Sequence, residues 1–499
     1  MRYYIVREND RWVIINPIDL FTQDWQSYES EYFIYHVPRE VHLADHMYKI
    51  RASDQSCENM LRFFHIELTD KIHFYAPRTA EECGELILHP SAHGYGVIPT
   101  QKWMRRSPAN YKIISPSLYH PHEVAHCLTG LAGISLDNHI IAEGLAVALG
   151  GVAGADEELT LIEASNMLGA SKLLPLERLF TMPKQEYFRT NYITYYESGA
   201  LIRFLHDRFG IEKLRRFCTH IEDIENLGES LEDAFQMSLN TLEDEFHKYL
   251  LSRKSTAIGF DVPPEATPVF AMADPQNDDK GDGDYVYPQH PNFAKGVFDL
   301  RQFSVFKDSD NAYFKITMSK LMTPVSYGSS DEQFTPCIVI AINDGDSKER
   351  ALNRDCHGVR FPHDEGYNIK LNVGSAVSVS NHLGKVYYTT PDIVYEYINK
   401  EENAIELSVP LAMIGEPEED WKYFVGVGLT SNRTMNFIDG GPMPVRQDHR
   451  VFISGGNFSH GNPNFIDILL PPSLKQKKVL SHYDMPTNIK PIVPMIEGS

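Results

Sequence analysis

The chain has 499 residues, 42% of them hydrophobic and 23% charged, and carries a formal net charge of −22. That length accommodates two or three domains, each with its own core, and the composition is that of a globular protein. So acidic a surface repels phosphate, which argues against nucleic acid or an anionic membrane as main partner, and no run of about 18 uncharged apolar residues is present to span a bilayer.

The first ten residues contain no apolar run suited to a signal peptide, so a cytoplasmic location is expected. A secreted or cell-surface location is the alternative should Met1 not be the natural start. Cys57, Cys83, Cys127, Cys218, Cys337 and Cys356 are scattered without a Cys-x-x-Cys pair and are expected to be separate buried thiols.

Residues 1–28 read as an extension with two short strands, at 3–6 and 12–16. Residues 29–117 read as an α/β lobe. A strand at 32–37 is followed, after Pro38, by a long helix whose buried stripe is Leu43, Met47, Ile50, Cys57, Leu61 and Phe64. A strand at 72–75 and a helix at 79–86, capped by Thr79, come next. Segments 93–100 and 111–115 are the last strands before residues 118–252, where the chain turns helical.

That helical stretch opens on His122-Glu123-x-x-His126. In a helix the two histidines stand one turn apart on one face, a spacing that lets both imidazoles grip one zinc ion while Glu123 works on its bound water. Val124, Leu128 and Leu131 occupy a different face and anchor the helix. After a turn through residues 130–138, a second apolar helix presents Glu143 as third ligand, with Ile141, Leu145 and Ala148 on its buried side. Cys127, His120 and His139 are read as a packed residue, an exposed residue and a helix-start residue, not as ligands. Carboxylates usually orient zinc histidines, and Asp137, Glu197 and Asp207 all remain open for that role.

His122-Glu123-x-x-His126 with Glu143-Gly144-Leu-Ala resembles the gluzincin metallopeptidases, the thermolysin-like clan that holds zinc with two histidines and a glutamate. Residues 30–252 look most like the peptidase MA-like group of that clan. The resemblance implies a multidomain α+β protein whose catalytic domain has a mixed α/β lobe with the metal helix, then a helical lobe. It implies His122, His126 and Glu143 as Zn2+ ligands, Glu123 as catalytic base, and a peptide or protein as substrate. In that clan an edge strand beside the metal pairs with extended substrate; Gly94, Tyr95 and Gly96 are the candidates, with an ordinary core hairpin as the competing reading. Tyr196-Glu197-Ser198-Gly199-Ala200 resembles the Tyr-Glu-Lys-Gly-Ala segment of the clan's large aminopeptidase family, with Ser198 in place of the lysine. It implies Tyr196 as oxyanion donor. Tyr192 and Tyr195 compete for that role, and a plain core tyrosine is the third reading. No Gly-x-Met-Glu-Asn segment is present to capture a free amino terminus, so an endopeptidase is favoured.

Residues 253–271 read as a linker containing Pro263, Pro264 and Pro268. Beyond it, short alternating strands recur at 297–306, 312–318, 337–343, 385–389, 393–398, 404–409 and 423–429, the rhythm of an antiparallel β-sandwich over 272–499. Asp274-Pro-Gln-Asn-Asp278-Asp279-Lys-Gly281-Asp282-Gly283-Asp284, then Gly296-Val-Phe-Asp299 and Asn464-Phe-Ile-Asp467, resemble the C-terminal module of glucodextranase and related bacterial glycoside hydrolases. The resemblance implies a DOMON-like sandwich that binds a glycan or surface polymer. The Asp/Gly run at 274–284 supplies oxygen ligands and tight turns suited to Ca2+, and a solvated acidic loop has the same composition. Two further readings stand beside the peptidase: a carbohydrate- or surface-binding protein on an inactive peptidase-like scaffold, and a glycosidase, which lacks a recognisable carboxylate-pair domain.

Overall fold

The computed structural model describes residues 4–8, 10–15, 17–87, 95–97, 112–134, 138–152, 155–189, 193–221, 226–252, 258–259, 261–283, 285–326, 333–345, 352–389, 398–431, 441–443, 445, 455, 463–484 and 489–497. It separates into two units, residues 1–254 and 255–499. No described helix is long and apolar enough to cross a membrane. All six cysteines are buried thiols.

The first unit begins with a hairpin, β1 (Tyr4–Glu8) and β2 (Arg11–Ile15), followed by α1 (Pro17–Phe21). A five-stranded sheet follows, built from β3 (Gln26–Glu29), β4 (Phe33–Val37), β5 (Ile72–Tyr75), β6 (Tyr95–Val97) and β7 (Lys112–Ile114) in the order β3-β4-β5-β7-β6. β4, β5 and β7 run parallel, and the two edge strands are antiparallel to them. Residues 26–28 therefore belong to this sheet and not to a separate extension. Alternation decides which helices cover which face. Phe33, Tyr35, Val37, Ile72, Phe74 and Ile113 pack against α2 (Met47–Phe64) and the later helices. Tyr75 and Ile114 pack with Ile18 of α1 and with Cys83 and Leu86 of α3 (Ala80–Ile87), whose start Thr79 caps through Glu82 N at 3.2 Å. α2 starts later than Pro38 suggests, because a 3₁₀ turn at Leu43–His46 precedes it.

The remainder of the unit is α4 (Pro121–Leu131), α5 (His139–Gly150), α6 (Glu157–Gly169), α7 (Leu176–Thr181), α8 (Lys184–Tyr187), α9 (Ile193–Phe209), α10 (Ile211–His220), α11 (Leu227–Phe235) and α12 (Leu239–Leu251). Ser238 caps α12, and Leu242, Phe246 and Leu250 are fully buried as its spacing requires. α5 is apolar nearly all round, so it can only be a helix enclosed by others. It packs on α4 and on α9. Small residues set how closely. A Cβ on Gly199 would fall 2.3 Å from Val147 Cγ1, and one on Gly144 would fall 2.8 Å from Ile202 Cγ1.

The second unit is a sandwich. One sheet has the order β18-β19-β10-β9-β8, where β8 is Thr267–Ala273, β9 Leu300–Lys307, β10 Asn311–Met318, β18 Ile398–Asn399 and β19 Ala404–Pro410. The larger has the order β17-β16-β15-β12-β20-β21, where β12 is Gln333–Asn343, β15 Ile369–Val373, β16 Val377–Asn381, β17 Val386–Thr389, β20 Lys422–Ser431 and β21 Asp467–Ile468. Short strands β11 (Val325–Ser326) and β22 (Ile496–Glu497) pair with β12 and β20, and β13 (Asp355–Cys356) and β14 (Val359–Arg360) make a hairpin. Phe303, Val305, Phe314 and Leu407 from one sheet meet Ile338, Ile340, Leu371 and Val425 from the other in one core. The outer face of the larger sheet is covered too: Val339, Ala341 and Phe424 pack with Phe361, Tyr367, Leu480 and Val493. β12 and β20 are thus buried on both faces, which is why they read as unbroken apolar runs.

Two expectations change. Residues 253–271 are more than a linker: Gly259 bridges Ser408, Val262 N donates to Glu406 at 3.2 Å, and β8 opens at Thr267. β15 and β16 are strands missing from the expected set, although Ile369, Leu371, Val373, Val377 and Val379 alternate with Lys370, Asn372, Ser378 and Ser380; both faces are buried. Of the expected strand at 393–398, all but Ile398 lies outside the described residues.

The α5–α9 crossing gives a direct test. Gly199→Ala is expected to cost about 1–3 kcal/mol by overpacking against Val147. Gly228→Ala on α11, whose Cβ meets nothing within 4 Å, is expected to cost nothing in the same urea titration.

Candidate metal centre

Pro121 at the first position of α4 and the extended His120 before it start the metal helix, and Asn138 starts α5 by accepting hydrogen bonds from Ile140 N and Ile141 N at 3.2 Å. α4 and α5 then cross so closely that a Cβ on Gly150 would sit 2.4 Å from His122 N. That approach delivers the Glu143 carboxylate to the two imidazoles. Glu143 Oε2 lies 3.4 Å from His122 Nε2 and 3.5 Å from His126 Nε2. All three ligand atoms fall within 4.8 Å of one another.

These separations are informative. A charge-assisted N–H···O bond closes to about 2.7–2.9 Å, so 3.4–3.5 Å is wide for a direct ion pair. Two ligands about 2.0–2.1 Å from a tetrahedral zinc are about 3.4 Å apart. The set has the donor chemistry and the spacing of a three-ligand zinc site with one position left for water.

His122 Nδ1 lies 2.8 Å from the carbonyl of Gly151, an acceptor only, so Nδ1 donates to it and Nε2 is the nitrogen turned toward Glu143. Gly151 has φ 70°, a backbone conformation that glycine adopts readily and that turns its carbonyl back onto α4. His126 Nδ1 is buried without a hydrogen-bond partner among the described residues. Burial opposes ionisation of Glu143, but hydrogen bonds and charge from His122 and His126 outweigh it and hold the carboxyl well below its ordinary range. Burial likewise opposes protonation of His126, and the neighbouring Glu143, assisted by Glu123, raises its pKa nonetheless. Side-chain exposures of 14%, 9% and 16% for His122, His126 and Glu143 leave a narrow opening to solvent.

Glu123 stands in the first turn of α4, half-buried, close enough for its charge to act on His126. Cys127 is sealed in the core, where burial pushes its thiol pKa up. Among the described residues β6 is an edge strand, packed beside α4, with one backbone rim of Tyr95 and Gly96 not paired by another strand; Gly94 lies outside the described residues. Tyr196 is half-buried near the start of α9, the helix that crosses α5. Tyr195 stacks on Tyr187 and Phe188, a packing role, and Tyr192 lies outside the described residues.

Neither of the described carboxylates considered as an orienter takes that role for His122. Glu197 accepts from Leu174 N at 3.2 Å, and Asp207 accepts from the Tyr249 hydroxyl at 2.7 Å; Asp137 lies outside the described residues. The orienting group is the Gly151 carbonyl, which side-chain chemistry cannot foretell. Sequence reasoning also missed the layer behind Glu143. Tyr187 is fully buried, its hydroxyl donates to Ser198 Oγ at 3.1 Å, and its ring meets His139 edge-on at 5.0 Å.

Residues 269–495 match the family of C-terminal, SLH-like binding modules of glucodextranase. The match spans the sandwich and none of the helical unit. No curated protein matches the chain.

Glu197 generates a pH prediction. Burial raises its carboxyl from 4.5 to about 8. The folded chain therefore holds a proton that the unfolded chain has released, and stability falls as pH climbs between those values. Glu197→Gln is expected to remove this slope and to gain on the order of a few kcal/mol at pH 9 relative to pH 5, read by denaturant unfolding across that range.

Proposed function

We propose that the first unit is a zinc-dependent peptidase, an endopeptidase, and that the sandwich attached to it binds a glycan or surface polymer. The observation that carries the peptidase reading is the pair of 3.4 and 3.5 Å separations between Glu143 Oε2 and the two imidazole Nε2 atoms. Zinc held by these residues would polarise a scissile carbonyl and bring the pKa of a water toward neutrality.

The rest falls to the chain's own groups. Glu123 is adjacent in sequence to a ligand and so cannot share the ion; its half-exposed carboxylate takes a proton from water and returns it to the leaving amine. The Gly151 carbonyl keeps His122 in the tautomer that frees Nε2. Tyr196 offers a phenol to a developing oxyanion, and the free rim of β6 offers backbone groups to an extended chain.

A second reading has its own support: the family match covers a binding module alone. On that reading the chain is a carbohydrate- or surface-binding protein with an inactive peptidase-like scaffold. Casein and peptide-library cleavage by the zinc-loaded chain separates the two. Glu123→Gln is expected to lower turnover by at least about a thousandfold while elemental analysis still finds one zinc per chain. Retained hydrolysis in that variant would remove Glu123 from the mechanism. Zinc-loaded wild type that cleaves nothing but binds glycans on an array would favour the scaffold.

A further inference from the structure

The sandwich holds a second cluster of ligand atoms, all oxygen. Asp274 ends β8's run into the loop, Asp278 lies within that loop, and Asp467 comes from β21, almost two hundred residues later. Their carboxylate oxygens lie within 4.8 Å of one another. Asp467 is fully buried and Asp274 is 6% exposed. Arg301 is near enough to attract Asp274 and Asp278, but Asp299 and Asp279, both buried, add to the negative field.

The hydrogen bonds leave the inner oxygens open. Asp467 uses its two oxygens on Leu300 N (2.7 Å) and Ile468 N (3.0 Å), and Asp274 Oδ1 accepts from Leu470 N at 3.1 Å. Asp274 Oδ2 and Asp278 Oδ1 are buried with no hydrogen-bond partner among the described residues. An acceptor oxygen removed from water and left unmatched is costly, more so when charged. Two such oxygens on clustered carboxylates, beside a third carboxylate, have the makings of a socket for a cation.

The surrounding loop is preassembled. Asn277 and Gly281 adopt φ of 63° and 56°. Gly281 N donates to Ile466 O at 2.7 Å, and Asn277 N donates to Asp299 Oδ1 at 2.9 Å. The Gln476 amide bonds Asp278 O at 2.6 Å and Ile466 O at 3.1 Å, while its oxygen accepts from Ile468 N. The carboxylates are thus held together before any ion arrives.

We propose that Asp274, Asp278 and Asp467 hold one divalent cation, calcium, which fastens the loop after β8 to β21 at the closing end of the sandwich. Calcium suits the site because it takes oxygen ligands at about 2.3–2.6 Å, so any two of its ligands fall within about 5 Å of each other. With neither imidazole nor thiolate in the set, zinc is disfavoured. Magnesium demands tighter octahedral geometry and keeps its waters, which three clustered carboxylates crowd out.

The test uses the full chain, zinc-loaded at its other site and stripped of calcium with a calcium-selective chelator. Calorimetric titration with calcium chloride is expected to give one site per chain, with magnesium at least about tenfold weaker. Calcium is expected to raise the melting temperature by several degrees and the chelator to reverse it. Asp467→Asn and, should that variant fail to fold, the half-buried Asp278→Asn are each expected to weaken calcium at least about tenfold and to abolish the shift. The proposal is overturned if millimolar calcium neither binds nor shifts melting. It is equally overturned if Asp278→Asn binds calcium as wild type does, or if that substitution raises the melting temperature equally with and without calcium. The last result would identify the cluster as acids held protonated.

Discussion

The first unit depends on how closely α5 is allowed to approach its neighbours. Glu143 contributes to the centre only because Gly150 abuts the backbone of His122 and Gly144 and Gly199 let α9 close on the opposite side. A Cβ at any of the three would meet atoms at 2.3–2.8 Å, so the helices would have to move apart by about 1 Å to regain ordinary van der Waals contact. Ligand atoms must lie within a few tenths of an ångström of their working separations. The same residues that minimise the distance between helices therefore determine whether three ligands converge. Packing and site geometry are one constraint here, not two.

Both units solve a common electrostatic problem, the burial of carboxylates, in different ways. Glu143 is offset by two imidazoles, and its ionised form is favoured despite desolvation. Glu197, on α9, the helix that crosses α5, is fully buried with only a backbone N–H among the described residues and is driven toward its neutral form. In the sandwich, desolvation and mutual repulsion push Asp274 up to about 8 and Asp278 to about 6. Burial pushes every one of these carboxyls up, and only the two imidazoles beside Glu143 reverse its sign, as expected for a low-dielectric interior.

Much of this was legible because helix periodicity and ligand chemistry are both local. His122 and His126 are four residues apart, and Glu143 follows within one connection, so a helical spacing rule locates them. The long buried stripe of α2 and the apolar runs of β12 and β20 likewise announce themselves. What escaped was either nonlocal or carried by the backbone. The Gly151 carbonyl that orients His122 has no side-chain signature. β15 and β16 alternate apolar with polar residues and were legible in principle; what the pattern does not tell is that Lys370 and Asn372, on the polar face, are buried as well. Asp467 was visible as part of a family-like segment, but its meeting with Asp274 depends on β20 pairing β21 through Val427 and Asp467, a register no window of sequence contains.

The two clusters also differ in the ion each can discriminate, and the difference follows from donor atoms alone. Two imidazoles and one carboxylate, oriented through a fixed tautomer, favour a borderline-soft ion that accepts four ligands and tolerates an open position. Three carboxylates with no nitrogen favour a hard ion that accepts many oxygens at longer range. Under the functions proposed, one chain would sort two metals without a shared ligand: the nitrogen-bearing set for chemistry that needs an open coordination position, the oxygen set for fastening a loop. That division is consistent with where each lies, the first at a narrow opening between helices, the second sealed by Gln476 and the backbone of residues 466–470.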